Sequence, residues 1–170
     1  MRAFFVIYLA ACVQIAQAGV LWGKAESGAS LDEIAKLYPE GRRIVPTEKQ
    51  RMANGATLGY EAPKVSVRGA EFEVAFYFLQ ETLDTVGLSH KSQEGAHGCG
   101  LTFESVREGL RAKYGQELSA KGSHRIAAMR SAVWQHQQTT IQLNMIAFDP
   151  DDCNIYLNYG TGLAKASENL

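Results

Sequence analysis

Glu71-Phe72-Glu73-Val74-Ala75-Phe76-Tyr77-Phe78 is the stretch on which the fold turns. Phe72, Val74, Phe76 and Phe78 alternate with Glu71, Glu73, Ala75 and Tyr77, and period two marks a strand with one buried face. Upstream, Val65 and Val67 precede a turn at Arg68-Gly69. Downstream, a short connection at Gln80-Glu81 leads to a strand with Val86 and Leu88 on one face. The same alternation returns late in the chain. Ile141, Leu143, Met145 and Ala147 interleave with Thr140, Gln142 and Asn144, and Cys153, Ile155, Leu157 and Tyr159 interleave with Asn154, Tyr156 and Asn158. Asp149-Pro150-Asp151-Asp152 is the turn between them, and Ala132 with Trp134 marks one more strand.

Two helices are predicted. Ser30 and Glu33 have the spacing of a capping box, Leu31, Ile34, Ala35 and Tyr38 share a face, and Pro39 with Gly41 ends the run. In the second, Thr102 is the predicted cap, Phe103, Val106, Leu110 and Tyr114 form the buried stripe, and Gly115 is the stop. Arg42 to Tyr60 reads as a strand remnant plus an exposed loop, and Ser89–Gly100 and residues 116–124 read as loops. Set side by side, residues 28–90 and 101–160 match in order: a helix, then alternating strands. The sequence therefore predicts α+β architecture, two helix-plus-antiparallel-meander repeats with helices covering one face of the sheet. The domain is expected over residues 19–163, with a flexible tail at 164–170.

The first 18 residues read as an address. Met1-Arg2 is a short positive region, Ala3 to Ile15 is uncharged and largely apolar, and Ala16-Gln17-Ala18 is a small-x-small cleavage site. Cleavage after Ala18 would send the protein to the periplasm or outside the cell. Leu9-Ala10-Ala11-Cys12 also has the form of a lipobox, so lipidation at Cys12 stays open. No stretch reaches the roughly 20 apolar residues of a membrane-spanning helix, and no stable membrane insertion is expected. With 17 Lys+Arg against 18 Asp+Glu the chain is close to neutral, which leaves no electrostatic footprint for nucleic acid.

If Cys12 leaves with the leader, Cys99 and Cys153 form an even pair in an oxidising compartment, which most simply means one disulfide. It would close a loop of about 55 residues, worth roughly 3–4 kcal/mol by chain entropy. A reactive thiol or a metal ligand is the other reading of these cysteines.

Gly28-Ala29-Ser30-Leu31-Asp32-Glu33-Ile34 in one half, and Leu101-Thr102-Phe103-Glu104-Ser105-Val106 with Lys113-Tyr114-Gly115 in the other, carry a resemblance. This pattern resembles the family shared by the outer-membrane assembly lipoprotein BamE and the β-lactamase inhibitor protein. Residues 42–64 depart from the compact form of that family as an insertion. The resemblance implies a protein that acts by binding other proteins, and it carries over no contact residue.

Candidate chemistry is sparse. His90, His97 and Cys99 lie on a glycine-rich stretch, but a fourth ligand is not evident. Asp149 to Asn154 fails the EF-hand pattern, with Cys153 at the fifth position and Asn154 where glycine is needed. Ser123-His124 are adjacent and cannot easily face each other as nucleophile and base, and no nucleophile elbow is present. Glu71 and Glu73 read as a solvated strand face. No metal, no cofactor and no catalysis are expected. The functional hint is aromatic: Tyr77, Trp134, Tyr156 and Asn158, set among Gln and Asn, are the candidate protein-binding face. The expected function is an exported non-catalytic protein-binding module, an inhibitor or immunity-type protein whose partner is a hydrolase or toxin. The alternatives are an envelope-assembly accessory and a small-molecule or metal carrier.

Overall fold

The computed structural model describes residues 19–92, 95–123, 128–147 and 152–161. After a small hairpin, β1 (Val20–Trp22) and β2 (Ala25–Glu26), come α1 (Leu31–Leu37), β3 (Arg42–Arg43), β4 (Thr57–Val67), β5 (Ala70–Leu79) and β6 (Thr82–Ser92). The chain continues with α2 (Gly95–Tyr114), β7 (Ser119–Ser123), β8 (Ala128–His136), β9 (Thr139–Ala147) and β10 (Cys153–Gly160). Strands β3 to β10 form one antiparallel sheet in the order β3-β4-β5-β6-β10-β9-β8-β7.

The alternation read from the sequence holds along β5, β9 and β10, and register aligns the buried residues across strands. Phe76, Val86, Tyr159, Ile141 and Trp134 are neighbours in one row, and Val74, Leu88, Leu157, Leu143 and Ala132 in the next. All ten are buried. On this face lie α2, α1 through Ile34, and the hairpin through Leu21 and Ala25, all in the same core cluster.

The predicted architecture of two α+β repeats is corrected by this arrangement. Strand takes 53% of the described residues and helix 23%, so the protein is mostly β. Its strands join across β6–β10 into one continuous sheet, and neither residues 28–90 nor 101–160 is a helix-plus-meander unit of its own. The helices are not equivalent covers either. α1 has seven residues and buries only Ile34, whereas α2 has 20 and buries Phe103, Val106, Leu110 and its own early residues Gly98, Cys99 and Gly100.

Local boundaries differ for identifiable reasons. Thr102 does not cap α2, because the helix starts at Gly95. Its glycines read as loop punctuation, yet they stand inside the helix, and Gly98 and Gly100 are buried there. β4 starts at Thr57 inside the predicted loop, and its pattern is broken by register shifts between Leu58 and Tyr60 and between Ala62 and Val65. β7 is an edge strand, Ser-Ala-Lys-Gly-Ser, with no apolar alternation to reveal it. The α1 capping box is present as read: Glu33 N–H donates to Ser30 Oγ at 3.3 Å and Ser30 N–H to Glu33 Oε2 at 2.7 Å.

Two long-range ties hold α2 on the sheet. Cys99 and Cys153 are joined with their Cα atoms 6.2 Å apart, fixing the first turns of α2 to the start of β10. At the other end, the Glu117 side chain is 3% exposed and accepts hydrogen bonds from Arg111 Nε at 2.6 Å and Arg107 Nε at 3.0 Å. Arg107 and Arg130 both reach Glu104, at 3.2 and 3.1 Å, which carries the network on to β8. The paired guanidinium of Arg111, then that of Arg107, hold the Glu117 carboxyl down at about 2.

Reducing the disulfide, or Cys99→Ala with Cys153→Ala, is expected to lower unfolding stability by about 3–4 kcal/mol, read by urea titration of oxidised and reduced protein. Because the folded pKa of Glu117 lies below its ordinary 4.5, its contribution is complete above that pH and disappears as the pH falls towards 2. Glu117→Gln should cost about 1–3 kcal/mol at neutral pH and flatten the fall in Tm across that acid window.

Candidate functional site

The sheet face opposite the helices carries the residues of the other parity. Glu61, Ala75, Gly87, Asn158, Gln142 and Val133 make one row, and Glu73, Ser89, Tyr156, Asn144, Ser131 and Lys121 the next. At the centre these side chains are small, hydroxyl-bearing or amide-bearing, and the charges stand towards the edges. Among the described residues, both helices and the hairpin pack on the other face.

Two aromatic rings rise from this surface. Tyr156, on β10, is 39% exposed. Tyr77, on β5, is half-buried because its ring leans across β6 at Gly87. A Cβ at Gly87 would stand 3.1 Å from Tyr77 Cε2 and 3.1 Å from Asn158 Oδ1, so the missing side chain is what admits both groups. Burial, then Glu61, then Tyr156 raise the Tyr77 phenol above its ordinary value of 10.

Beside Tyr77 the face deepens into an open pocket of about 530 Å³. Its floor includes Leu58 and Tyr77, and its wall is Arg42 and Gln50 from the chain between α1 and β4. Arg42 donates to Glu61 Oε2 through Nε at 2.8 Å and through its terminal nitrogen at 2.6 Å, and Lys64 lies 3.8 Å from Glu73. Two pairs thus account for Arg42, Glu61, Lys64 and Glu73, and Glu40 adds one further carboxylate to the lining. It offers hydrogen-bonding and aromatic surface with a small excess of negative charge.

Of the four residues singled out from the sequence, three share this face: Tyr77, Tyr156 and Asn158. Trp134 does not. It is 1% exposed, pairs with Ile141 on the covered face, and donates its indole N–H to the Gly115 carbonyl at 2.9 Å. A Trp in phase with Ala132 and Ile141 belongs to the core row, and its one polar atom is satisfied there by the end of α2. Sequence reasoning missed Gly87, Leu58 and the Arg42–Glu61 pair, since the wall lies in a segment without periodicity.

The other candidate groups are dispersed. Cys99 is engaged with Cys153, and His90 Nδ1 lies 2.8 Å from the Glu71 carbonyl. Among the described residues no group of three His, Cys, Asp or Glu side chains could hold a metal. No described helix is long and apolar enough to cross a membrane. The leader with its Ala18 and Cys12 readings, His124, residues 149–151 and the tail lie outside the described residues. Comparison with protein-family models, with curated proteins and with solved structures returned no match. The resemblance to the BamE and β-lactamase inhibitor protein family thus rests on sequence pattern alone.

Removing the Glu61 charge relieves one cause of the raised Tyr77 phenol. In Glu61→Gln, the Tyr77 titration followed by NMR should move down towards 10, whereas an unmoved midpoint would leave burial and Tyr156 as its causes.

Proposed function

We propose that the protein is a non-catalytic binding module that seats a partner protein on the open face of its sheet. The observation that carries this reading is the placement of Tyr77, Tyr156 and Asn158 together on that face, amid Gln142 and Asn144. Partly exposed tyrosines supply large contact area at small conformational cost, and the surrounding amides and hydroxyls supply adaptable hydrogen bonds. The near-neutral chain argues for recognition by shape and hydrogen bonding over charge steering. With the leader read from residues 1–18, this supports an exported inhibitor or immunity-type protein that covers an enzyme or toxin.

The test compares immobilised wild-type protein with Tyr156→Asp, whose exposed position leaves the core intact. A partner retained stoichiometrically by the wild type should weaken at least about 30-fold against Tyr156→Asp, the loss of one central aromatic anchor. Equal retention by both proteins, with unchanged circular dichroism, would remove the open face as the interface.

A further inference from the structure

We infer that the cleft at Trp22, Tyr38 and Glu40 receives an arginine side chain, presented by the partner protein on an extended segment that crosses the sheet edge from the open face. This deepens the binding-module reading and rests on it. The cleft has a volume of about 310 Å³ and is lined chiefly by Trp22, Leu37, Tyr38, Pro39 and Val65. It shares Glu40, Ala62, Pro63 and Lys64 with the open-face pocket beside Tyr77. The two cavities therefore meet at the edge of the sheet, where one extended chain reaches both.

The walls of the cleft are set before anything binds. The Trp22 and Tyr38 rings stack with centroids 6.0 Å apart and planes inclined by 21°, and Tyr38 packs in turn on buried Phe76 at 5.0 Å. Lys24 N–H donates to Tyr38 Oη at 3.3 Å. Glu40 is placed by its backbone. Gly41 N–H donates to the Tyr38 carbonyl at 3.0 Å, closing a β-turn that has Pro39 and Glu40 as its central residues. Tyr60 Oη donates to the same carbonyl at 2.5 Å and ties that turn to β4. Preformed walls reduce the ordering cost of binding.

Charge selects the occupant. Arg42 forks onto Glu61 and Lys64 lies 3.8 Å from Glu73, whereas Glu40 enters no ion pair among the described residues. It stands exposed at the junction of the two cavities, in the same lining as the stacked rings. An acidic side chain would meet an unpaired carboxylate there, and a purely apolar one would leave that carboxylate unused. A lysine ammonium is a compact, strongly hydrated charge, ill matched to an apolar wall. Arginine meets each requirement. Its stem suits the apolar lining, its planar guanidinium stacks on aromatic rings, and its fork of donors matches a carboxylate. The contact acts at short range, so it needs no net field from the near-neutral chain.

The experiment titrates the isotope-labelled, oxidised protein with capped alanine pentapeptides whose central residue is arginine, citrulline or glutamate, and follows the indole N–H signals by NMR. The chain has two tryptophans. Trp22 reports the cleft, and Trp134, buried with its N–H on the Gly115 carbonyl, is the internal control. The arginine peptide should move the Trp22 signal with a Kd of about 1 mM or tighter and leave Trp134 in place. Citrulline keeps the shape of arginine without its charge and should bind at least about 10-fold more weakly, as should the arginine peptide against Glu40→Gln. Because Glu40 is exposed and outside every ion pair described, that variant should keep the wild-type Tm. A Trp22 signal unmoved by about 10 mM arginine peptide, or moved equally by the glutamate peptide, overturns the inference. With a retained partner in hand, Glu40→Gln should weaken it at least about 10-fold as well. A partner weakened by Tyr156→Asp and indifferent to Glu40→Gln would overturn the cleft while keeping the open-face reading. A partner held equally by wild type and both variants would remove both.

Discussion

The antiparallel pairing of β6 with β10 is the constraint on which the rest of the structure depends. These strands lie far apart in sequence, yet they pair without a register shift from Thr85–Gly160 to Ser92–Cys153. The pairing brings Val86 and Leu88 beside Tyr159 and Leu157, so the core rows run unbroken from β5 to β8. A slip of one residue would turn every one of those side chains to the opposite face. Such a non-local pairing is entropically expensive to form. The Cys99–Cys153 link acts at one end of it, because Cys153 is the first residue of β10 and pairs with Ser92.

Much of this was legible in period two. β5, β9 and β10 alternate cleanly because each buries one face and wets the other, and the disulfide follows from counting cysteines. Where two physical signals compete, the reading fails. Gly95, Gly98 and Gly100 look like a loop by propensity, but α2 runs through all three and buries the last two. Within β4, Pro63 falls in an interval where the strand shifts register against β5, the place a sheet tolerates proline. The repeat reading fails differently. Matching order along the chain says nothing about which strands hydrogen-bond, and here the innermost strands of the two halves pair with each other.

The candidate site shows the same division. Alternation separates Tyr156 and Asn158 from Ile155 and Leu157, and that separation holds in the structure. It cannot state which of two faces a helix will cover, and Trp134 was placed on the wrong one. The register decides it, since Trp134 stands beside Ile141 and the Gly115 carbonyl takes its N–H. Gly87 was invisible for a related reason. A glycine inside a strand carries no pattern, and its role emerges only when Tyr77 and Asn158 arrive from the two neighbouring strands.

One local device links the edge of the sheet to the proposed binding face. A long strand such as β4 would present unpaired backbone groups to other chains if left bare. Part of that edge is closed by two arginines, Arg42 opposite Glu61 and Arg43 opposite Tyr60. A two-residue strand is too short to be a good template, and its charges discourage stacking by another sheet. The same ladder and ion pair that close the edge set Arg42 as the wall beside Tyr77. Edge protection therefore supplies, at no separate structural cost, a raised wall at the margin of an otherwise flat face. A flat sheet face alone discriminates poorly between partners, because shallow surfaces exclude few shapes. A walled pocket beside it adds a requirement that a partner must meet in depth as well as in outline.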